Sequence, residues 1–143
     1  NCSDPAWPAL PPNEADADGD TVSVCANDCD DANSAVWSIP TEANNLTIGT
    51  SGGMLHLVWT PPIPPGGSSV HFDVLRSDTP PDFTGAAVCV ATDTAIAQAD
   101  DPLGAVVPGI SSYLVRSRNA CPNGFSVLGL NSSGVPIPGR TCP

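Results

Sequence analysis

Residues Met54–Thr60 read MLHLVWT, and this stretch decides the fold class. From Leu55 to Trp59 every second residue is large and apolar, a period of two that is typical of a half-buried β-strand. The pattern stops at Pro61-Pro62, because proline cannot donate to a strand ladder. We therefore predict a strand with one face in a core.

The same alternation recurs from Val70 to Leu75, and no segment carries a sustained helical period. Turn-forming Pro, Gly and Asp residues separate the remaining candidates. About seven short strands with such spacing describe an antiparallel sandwich, so we predict an all-β fold. The other candidate strands are Leu46–Ile48, Ala86–Thr92, Thr94–Ala99, Ser112–Asn119 and Phe125–Asn131.

An acidic stretch precedes these strands: Asp16–Asp31 reads DADGDTVSVCANDCDD, with no basic residue. Three aspartates alternate at its start, and Gly19 permits a tight turn between them, as in the first half of a calcium loop. Hard oxygen ligands in this number favour Ca²⁺ over zinc or copper. Asn27 stands where an EF-hand has its bidentate glutamate, so the other ligands must come from elsewhere. The candidate ligands are Asp16, Asp18, Asp20, the Val22 carbonyl, Asp28, Asp30, Asp31 and Glu42. The alternative interpretation is a solvated acidic loop.

Six cysteines in a chain of 143 residues that is rich in Pro and Gly indicate a disulfide framework. Such a framework is typical of an oxidising compartment outside the cytoplasm. Cys25 and Cys29 are four residues apart and can staple the turn between the two aspartate clusters. We predict that pair from its spacing, although six cysteines allow fifteen pairings.

The stretch DADGDTVSVCANDCDDANSAVWSIPTE, from Asp16 to Glu42, resembles a metal-binding motif of bacterial surface proteins, DxDGDGxxxxxxDCDDxxxxxxPxxxE. That motif is similar in style to thrombospondin type 3 calcium repeats. One branch of the family is named for copper scavenging, but the soft and imidazole ligands that copper favours are absent from this stretch. The resemblance implies a metal site, and calcium remains our expectation.

From Leu46 to Pro143 the blocks HLVWTPP, VHFDVLRSDTPPDF, SSYLVRSRNACPNG and NSSGVPIPGRTCP resemble fibronectin type III variants of bacterial secreted proteins. The resemblance implies that Trp59 packs between two sheets and that Tyr113 anchors a corner. It also implies a Cys89–Cys121 disulfide, which leaves Cys2 to pair with Cys142. We expect residues 1–45 to form an extended proline-rich arm and the calcium motif, and residues 46–143 to form the sandwich.

The formal net charge is −11, and four arginines are the only basic residues besides two histidines. This charge disfavours nucleic acid and anionic lipid as partners. No apolar run reaches the length of a membrane span, and the start of the chain lacks the features of a signal peptide. We expect a mature secreted protein, extracellular or on the cell surface, without membrane insertion.

The chain carries no GxSxG, HExxH or glycine-rich phosphate motif, and both histidines fall on the outward phase of their strands. We therefore expect a protein that is not an enzyme. Arg76, Arg116 and Arg118 are expected to form an exposed stripe, either paired with neighbouring acids or facing the acidic end of a second copy.

Two functions follow from these features. The first is a calcium-stabilised structural protein, a bacterial surface or filament subunit whose copies assemble head to tail; its proline-rich arm is suited to complete a neighbour's sheet edge. The second is a monomeric binding or spacer module of a secreted protein, with carbohydrate or a surface protein as partner.

Overall fold

The computed structural model describes residues 15–79, 82–102 and 109–143. The proline-rich arm and Cys2 therefore lie outside the described residues. The described part contains one short 3₁₀ helix, Val24–Ala26, and no helix long and apolar enough to cross a membrane. Its strands are β1 (Asn44–Ser51), β2 (Met54–Thr60), β3 (His71–Ser77), β4 (Ala87–Thr94), β5 (Gln98–Asp101) and β6 (Ser112–Arg118).

The strands form two antiparallel three-stranded sheets. The first sheet has the order β1-β2-β5, and the second has the order β4-β3-β6. Each sheet thus combines strands that are distant along the chain, which is the arrangement of a sandwich with Greek-key connections. The predicted all-β antiparallel sandwich is confirmed.

The β1–β2 hairpin shows how local sequence sets register. Ser51 pairs with Met54 across the two-residue turn Gly52-Gly53, in which both glycines have positive φ angles of 59° and 81°. Such a turn requires two residues that tolerate positive φ. The glycine pair therefore fixes which residues of β1 and β2 face each other.

The inner core lies between the two sheets. Trp59 packs edge-on against Phe72, with ring centroids 5.3 Å apart, and Tyr113 is buried in the same cluster. The expected position of Trp59 between the sheets is confirmed. The buried members of this core are Leu57, Trp59, Phe72, Val74, Tyr113 and Val115.

A second core, here called the outer core, covers the opposite face of the second sheet. Leu75, which follows the inner-core residue Val74 on β3, packs with Leu128 and Cys142 from the end of the chain. Neighbouring residues of a strand point to opposite faces, so the C-terminal segment lies across the outer face of this sheet. Both faces of β3 are consequently buried.

The predicted strand Phe125–Asn131 is wrong. Phe125 forms only an isolated bridge with Arg118, and Ser126 donates its N–H to the Ser117 carbonyl at 2.8 Å. The chain then leaves the edge of β6, because Leu128 is buried in the outer core instead. This segment therefore crosses over the outer face of the second sheet and does not form a seventh strand, although its sequence alternates.

The disulfide pairing differs from every predicted pair. Cys29 is bonded to Cys121, and Cys89 is bonded to Cys142, with Cα–Cα distances of 5.5 and 5.8 Å; Cys25 is also disulfide-bonded. The Cys25–Cys29, Cys89–Cys121 and Cys2–Cys142 predictions are therefore wrong. The physical reason is tertiary: Cys29 meets the turn after β6, and the C-terminal crossing brings Cys142 to β4.

Candidate metal centre

Residues 15–31, here called the aspartate loop, are shaped by their own carboxylates. Asp16 accepts the backbone N–H groups of Gly19 and Thr21, at 2.7 and 2.9 Å. Asp18 and Asp20 each accept, through Oδ1, the N–H two residues further on. Gly19 has a φ of 83°, a conformation in which a side chain is strained. These bonds hold residues 16–22 in a tight turn.

The three alternating aspartates converge. One carboxylate oxygen from each of Asp16, Asp18 and Asp20 lies within 4.8 Å of the other two. Calcium binds oxygen at about 2.3–2.6 Å, so oxygens up to about 5 Å apart can share one such ion. The alternation in the sequence thus produces the predicted convergence of three ligands.

A second feature of the loop concerns carboxylate oxygens without donors. The Oδ2 atoms of Asp18, Asp20 and Asp28 are buried and have no hydrogen-bond partner among the described residues. Asp28 is only 8% exposed, and its Oδ1 accepts the Asp30 N–H at 2.9 Å. Burying a charged oxygen without a partner is costly. A cation would satisfy such oxygens, and two of the three residues, Asp18 and Asp20, belong to the converging group.

The electrostatics of the loop agree with this geometry. Burial raises the pKa of Asp18, and the nearby negative charges of Asp20, Asp28 and Asp16 raise it further. Asp28, distant in sequence from the turn, therefore contributes to the field at Asp18. The bond from the Gly19 N–H, aided by that from Thr21, lowers the pKa of Asp16 despite partial desolvation. The loop concentrates negative charge at Asp18.

The remaining predicted ligands occupy different places. Asp31 accepts the Ala17 N–H through Oδ1 at 3.2 Å and so ties the two ends of the loop together. Glu42 lines a groove beside Ile39 and Phe125. The converging group found among the described residues includes none of Asp28, Asp30, Asp31 and Glu42. Metal ligation by any of the predicted residues, Asp16, Asp18, Asp20, Val22, Asp28, Asp30, Asp31 and Glu42, stays a prediction.

The segment that follows the aspartate loop is anchored to the sandwich by contacts that sequence reasoning missed. Trp37 and Ser38 donate their N–H groups to the Gly66 carbonyl, at 3.0 and 2.9 Å. The Asn119 side chain donates to the carbonyls of Ser38 and Gly66, at 2.7 and 3.1 Å. Asn119 lies two residues before Cys121, the partner of Cys29. No short-range sequence signal links residues so far apart.

The three arginines are paired with acids, as one of the two predicted alternatives has it, but the expected exposure of the stripe is wrong. Arg76 and Arg116 are both buried, and each is paired with a buried aspartate at 2.8 Å, Asp101 and Asp73 respectively. Two of the three stripe residues thus have their charges matched inside the molecule. Alternation alone would expose Arg116 on the outer face of the second sheet, but the Phe125 ring lies 4.6 Å from its guanidinium. Arg76 instead lies between the sheets, where it meets Asp101.

Arg118 is partly exposed and lies at a polar cavity of about 220 Å³. His71 and Asp93 also line the cavity, with His71 Nδ1 3.0 Å from Asp93 Oδ1. The guanidinium of Arg118 lies 5.1 Å from the ring centroid of Phe125. The cavity therefore presents the positive Arg118 side chain, the negative Asp93 side chain and the polar His71 ring together.

Comparison with known proteins gives a likeness to solved structures. No family model matches the chain, and no curated protein matches it. A solved structure described as an Fn3-like protein from Clostridium thermocellum is similar, with a TM-score of 0.45 and 21% identity over 62% of this chain and 88% of that one. The assignment to the β-sandwich class rests on the strand order of the two sheets.

Proposed function

We propose that this protein is a calcium-stabilised extracellular structural module. The observation that carries the proposal is that three buried carboxylate oxygens, of Asp18, Asp20 and Asp28, have no hydrogen-bond partner among the described residues, while Asp18 and Asp20 converge with Asp16. Calcium neutralises such a set, and several oxygens of this kind are the ligands it prefers. Disulfides between distant segments, at Cys29–Cys121 and Cys89–Cys142, support an oxidising, extracellular compartment.

The role of the ion in this proposal is to hold the aspartate loop rigid. The loop is already fixed to the sandwich by the Cys29–Cys121 disulfide, and Asn119 holds Ser38 in the segment that follows it, so the loop has little freedom to open as a signalling EF-hand does. Extracellular calcium modules bind with dissociation constants of about 10⁻⁴–10⁻³ M. A site of this affinity is filled outside a cell and stays filled.

Thermal unfolding with and without calcium tests the proposal. A ligand at 100 times its dissociation constant stabilises the folded state by about 2.7 kcal/mol, so we expect a clear rise in melting temperature with calcium and its reversal by EDTA. Magnesium at the same concentration serves as the control, because it demands stricter octahedral geometry. An unchanged melting temperature, with no heat of calcium binding in calorimetry, would contradict the proposal.

We also propose that copies of the protein assemble into a surface layer or filament. A head-to-tail contact between the arginines of one copy and the aspartates of the next is not supported, because Arg76 and Arg116 already form ion pairs inside the molecule. Assembly must then use another surface. Electron micrographs of the native material, which distinguish filaments from single particles, test this part of the proposal independently of calcium.

A monomeric binding module is the second candidate function, and the polar cavity at Arg118, His71 and Asp93 favours it. Hydroxyl-rich ligands such as oligosaccharides suit a site of this kind, because it presents hydrogen-bond donors and acceptors together. Titration of a panel of soluble oligosaccharides, followed by NMR, tests it. Shifts at the cavity that Arg118→Ala abolishes would support binding.

A further inference from the structure

We infer that the exposed edge of β1 is a contact between two copies of this chain, paired antiparallel about Ile48. The inference deepens the self-assembly that we propose above and does not depend on calcium. Strand β1 is the outer strand of the first sheet, and among the described residues its strand partner is β2 alone. An unpaired strand edge presents N–H and C=O groups that another strand can bind.

Native proteins normally protect such edges with short strands, charges, proline or bulges. Strand β5 is protected in this way, since it has four residues, carries Asp100 and Asp101 and is followed by Pro102. Strand β4 pairs with β3 through two irregularities and carries Asp93. These two edges are poorly suited to binding another strand.

The edge of β6 is protected by a different device. Ser126 donates its N–H to the Ser117 carbonyl, and its hydroxyl accepts the Ser117 N–H at 3.0 Å. Arg118 on the same strand adds a partly exposed charged side chain. A partner strand would have to displace the Ser126 contacts.

Strand β1 lacks these protections over most of its length. The stretch from Ala43 to Leu55 contains neither a charged residue nor a proline, in a chain with net charge −11. A bulge between Asn44 and Thr47 disturbs only its first part. Two copies of so acidic a protein repel each other generally, so a charge-free edge is the place where they can approach.

Register identifies which backbone groups are available. The pair that flanks a two-residue hairpin turn is hydrogen-bonded, and such pairs alternate along the ladder. Ser51, Gly49 and Thr47 therefore bond to β2, while the N–H and C=O groups of Thr50 and Ile48 point away from it. These outward groups are the ones a second strand would engage.

The Ile48 side chain indicates a second copy as the occupant. Ile48 pairs with Leu57, which is fully buried, yet Ile48 remains 48% exposed. In a two-fold antiparallel contact centred on Ile48, its partner is Ile48 of the second copy, and Thr50 lies opposite Leu46 of the second copy. A β-branched cross-strand pair of this kind is stabilising. The contact would join the β1-β2-β5 sheets of the two copies into one continuous sheet.

Sedimentation of the full chain tests this inference. The protein is measured from micromolar concentration to about 1 mM, the range in which a weak interface associates. We expect a dimer whose dissociation constant rises at least about tenfold in Ile48→Glu, because two like charges then face each other. Thr50→Pro should act similarly, since it removes an outward N–H without a bond to β2. Circular dichroism checks that both variants remain folded.

The matched control is Val88→Glu, which places the same charge at another half-exposed β-branched residue, on the edge strand β4. This variant should dimerise like the wild type. Hydrogen exchange gives an independent readout, because the amides of Ile48 and Thr50 should become protected as concentration rises. A wild-type monomer at about 1 mM, or a dimer that folded Ile48→Glu and Thr50→Pro leave intact, would overturn the inference. If sedimentation shows dimers but micrographs show no filaments, the β1 contact is supported and only the proposed filament is rejected.

Discussion

Asp101 of β5 is bonded to Arg76 of β3 across the interior of the sandwich. Both carboxylate oxygens of Asp101 accept from Arg76 Nη1, at 2.8 and 3.1 Å. Since β5 belongs to the first sheet and β3 to the second, the pair ties the sheets together. The Tyr113 hydroxyl donates to the same carboxylate at 2.8 Å. One buried acid thus organises one end of the inner core.

We predict that Asp101→Asn destabilises the fold strongly. The change leaves Arg76 buried without its counter-charge, and removing one partner of a buried pair costs about 3–5 kcal/mol. Urea unfolding measures the effect. The control is Asp100→Asn, the adjacent and exposed carboxylate that pairs with His56, where about 0–1 kcal/mol is expected. Equal losses in the two variants would show that Asp101 has no special role.

The second prediction concerns the ionisation of Tyr113. Burial raises the pKa of Tyr113 to about 12, and the bond to Asp101 acts in the same direction. The folded state therefore retains the phenolic proton more strongly than the unfolded state does. The resulting stabilisation is complete below the unfolded pKa of about 10 and is lost as the pH rises towards 12.

Tyr113 is the single tyrosine of the chain, so its phenolate absorbance can be followed without interference from another tyrosine. We expect the midpoint near 12 in the folded protein and near 10 after unfolding in denaturant. Tyr113→Phe should abolish the signal. A folded-state midpoint near 10 would mean that the hydroxyl is not held by Asp101 as described.

The structure shows which parts of the fold a sequence can predict. Alternation in Met54–Thr60 identified a strand and placed Trp59 in the core, because a period of two is a local property. The same rule failed at Arg116, which alternation assigns to an outer face. That face is covered by a segment from the end of the chain, and no local pattern reports such a covering.

The candidate metal centre divides in the same way. Convergence of Asp16, Asp18 and Asp20 follows from their spacing and from the turn at Gly19. The Cys29–Cys121 disulfide and the hydrogen bond from Asn119 to Ser38 do not follow from local spacing. They depend on which loop of the sandwich lies next to residues 29–38. The pairing of cysteines is a tertiary property, and a short spacing such as that of Cys25 and Cys29 does not determine it.

A third prediction identifies the ligand from outside the turn. Asp28→Asn keeps an acceptor for the Asp30 N–H but removes the charge next to Asp18, and affinity of calcium sites follows ligand charge. We expect calcium affinity, measured by calorimetry, to fall at least about tenfold. Asp30→Asn is the matched control, because Asp30, unlike Asp28, has no buried carboxylate oxygen without a hydrogen-bond partner among the described residues, and this variant should bind calcium nearly as the wild type does. An equal fall in Asp30→Asn would assign both residues to the ligand set.

The last prediction separates the two described disulfides by function. Cys29–Cys121 and Cys89–Cys142 span 92 and 53 residues, so the chain-entropy model assigns each a similar stabilisation of about 4–5 kcal/mol. Their effects on calcium should nevertheless differ, since Cys29 is adjacent to Asp28 and holds that part of the loop against the sandwich.

In the double variant Cys29→Ser with Cys121→Ser, we expect a large loss of calcium affinity, because the loop must then be ordered at the moment of binding. In the double variant Cys89→Ser with Cys142→Ser, we expect a lower melting temperature but nearly unchanged calcium affinity in the folded protein. The reason is that Cys142 belongs to the outer core, whereas the loop is anchored elsewhere. Calorimetry below the melting temperature of both variants makes the comparison, and an equal loss of affinity in the two would show that the loop depends on the stability of the whole fold.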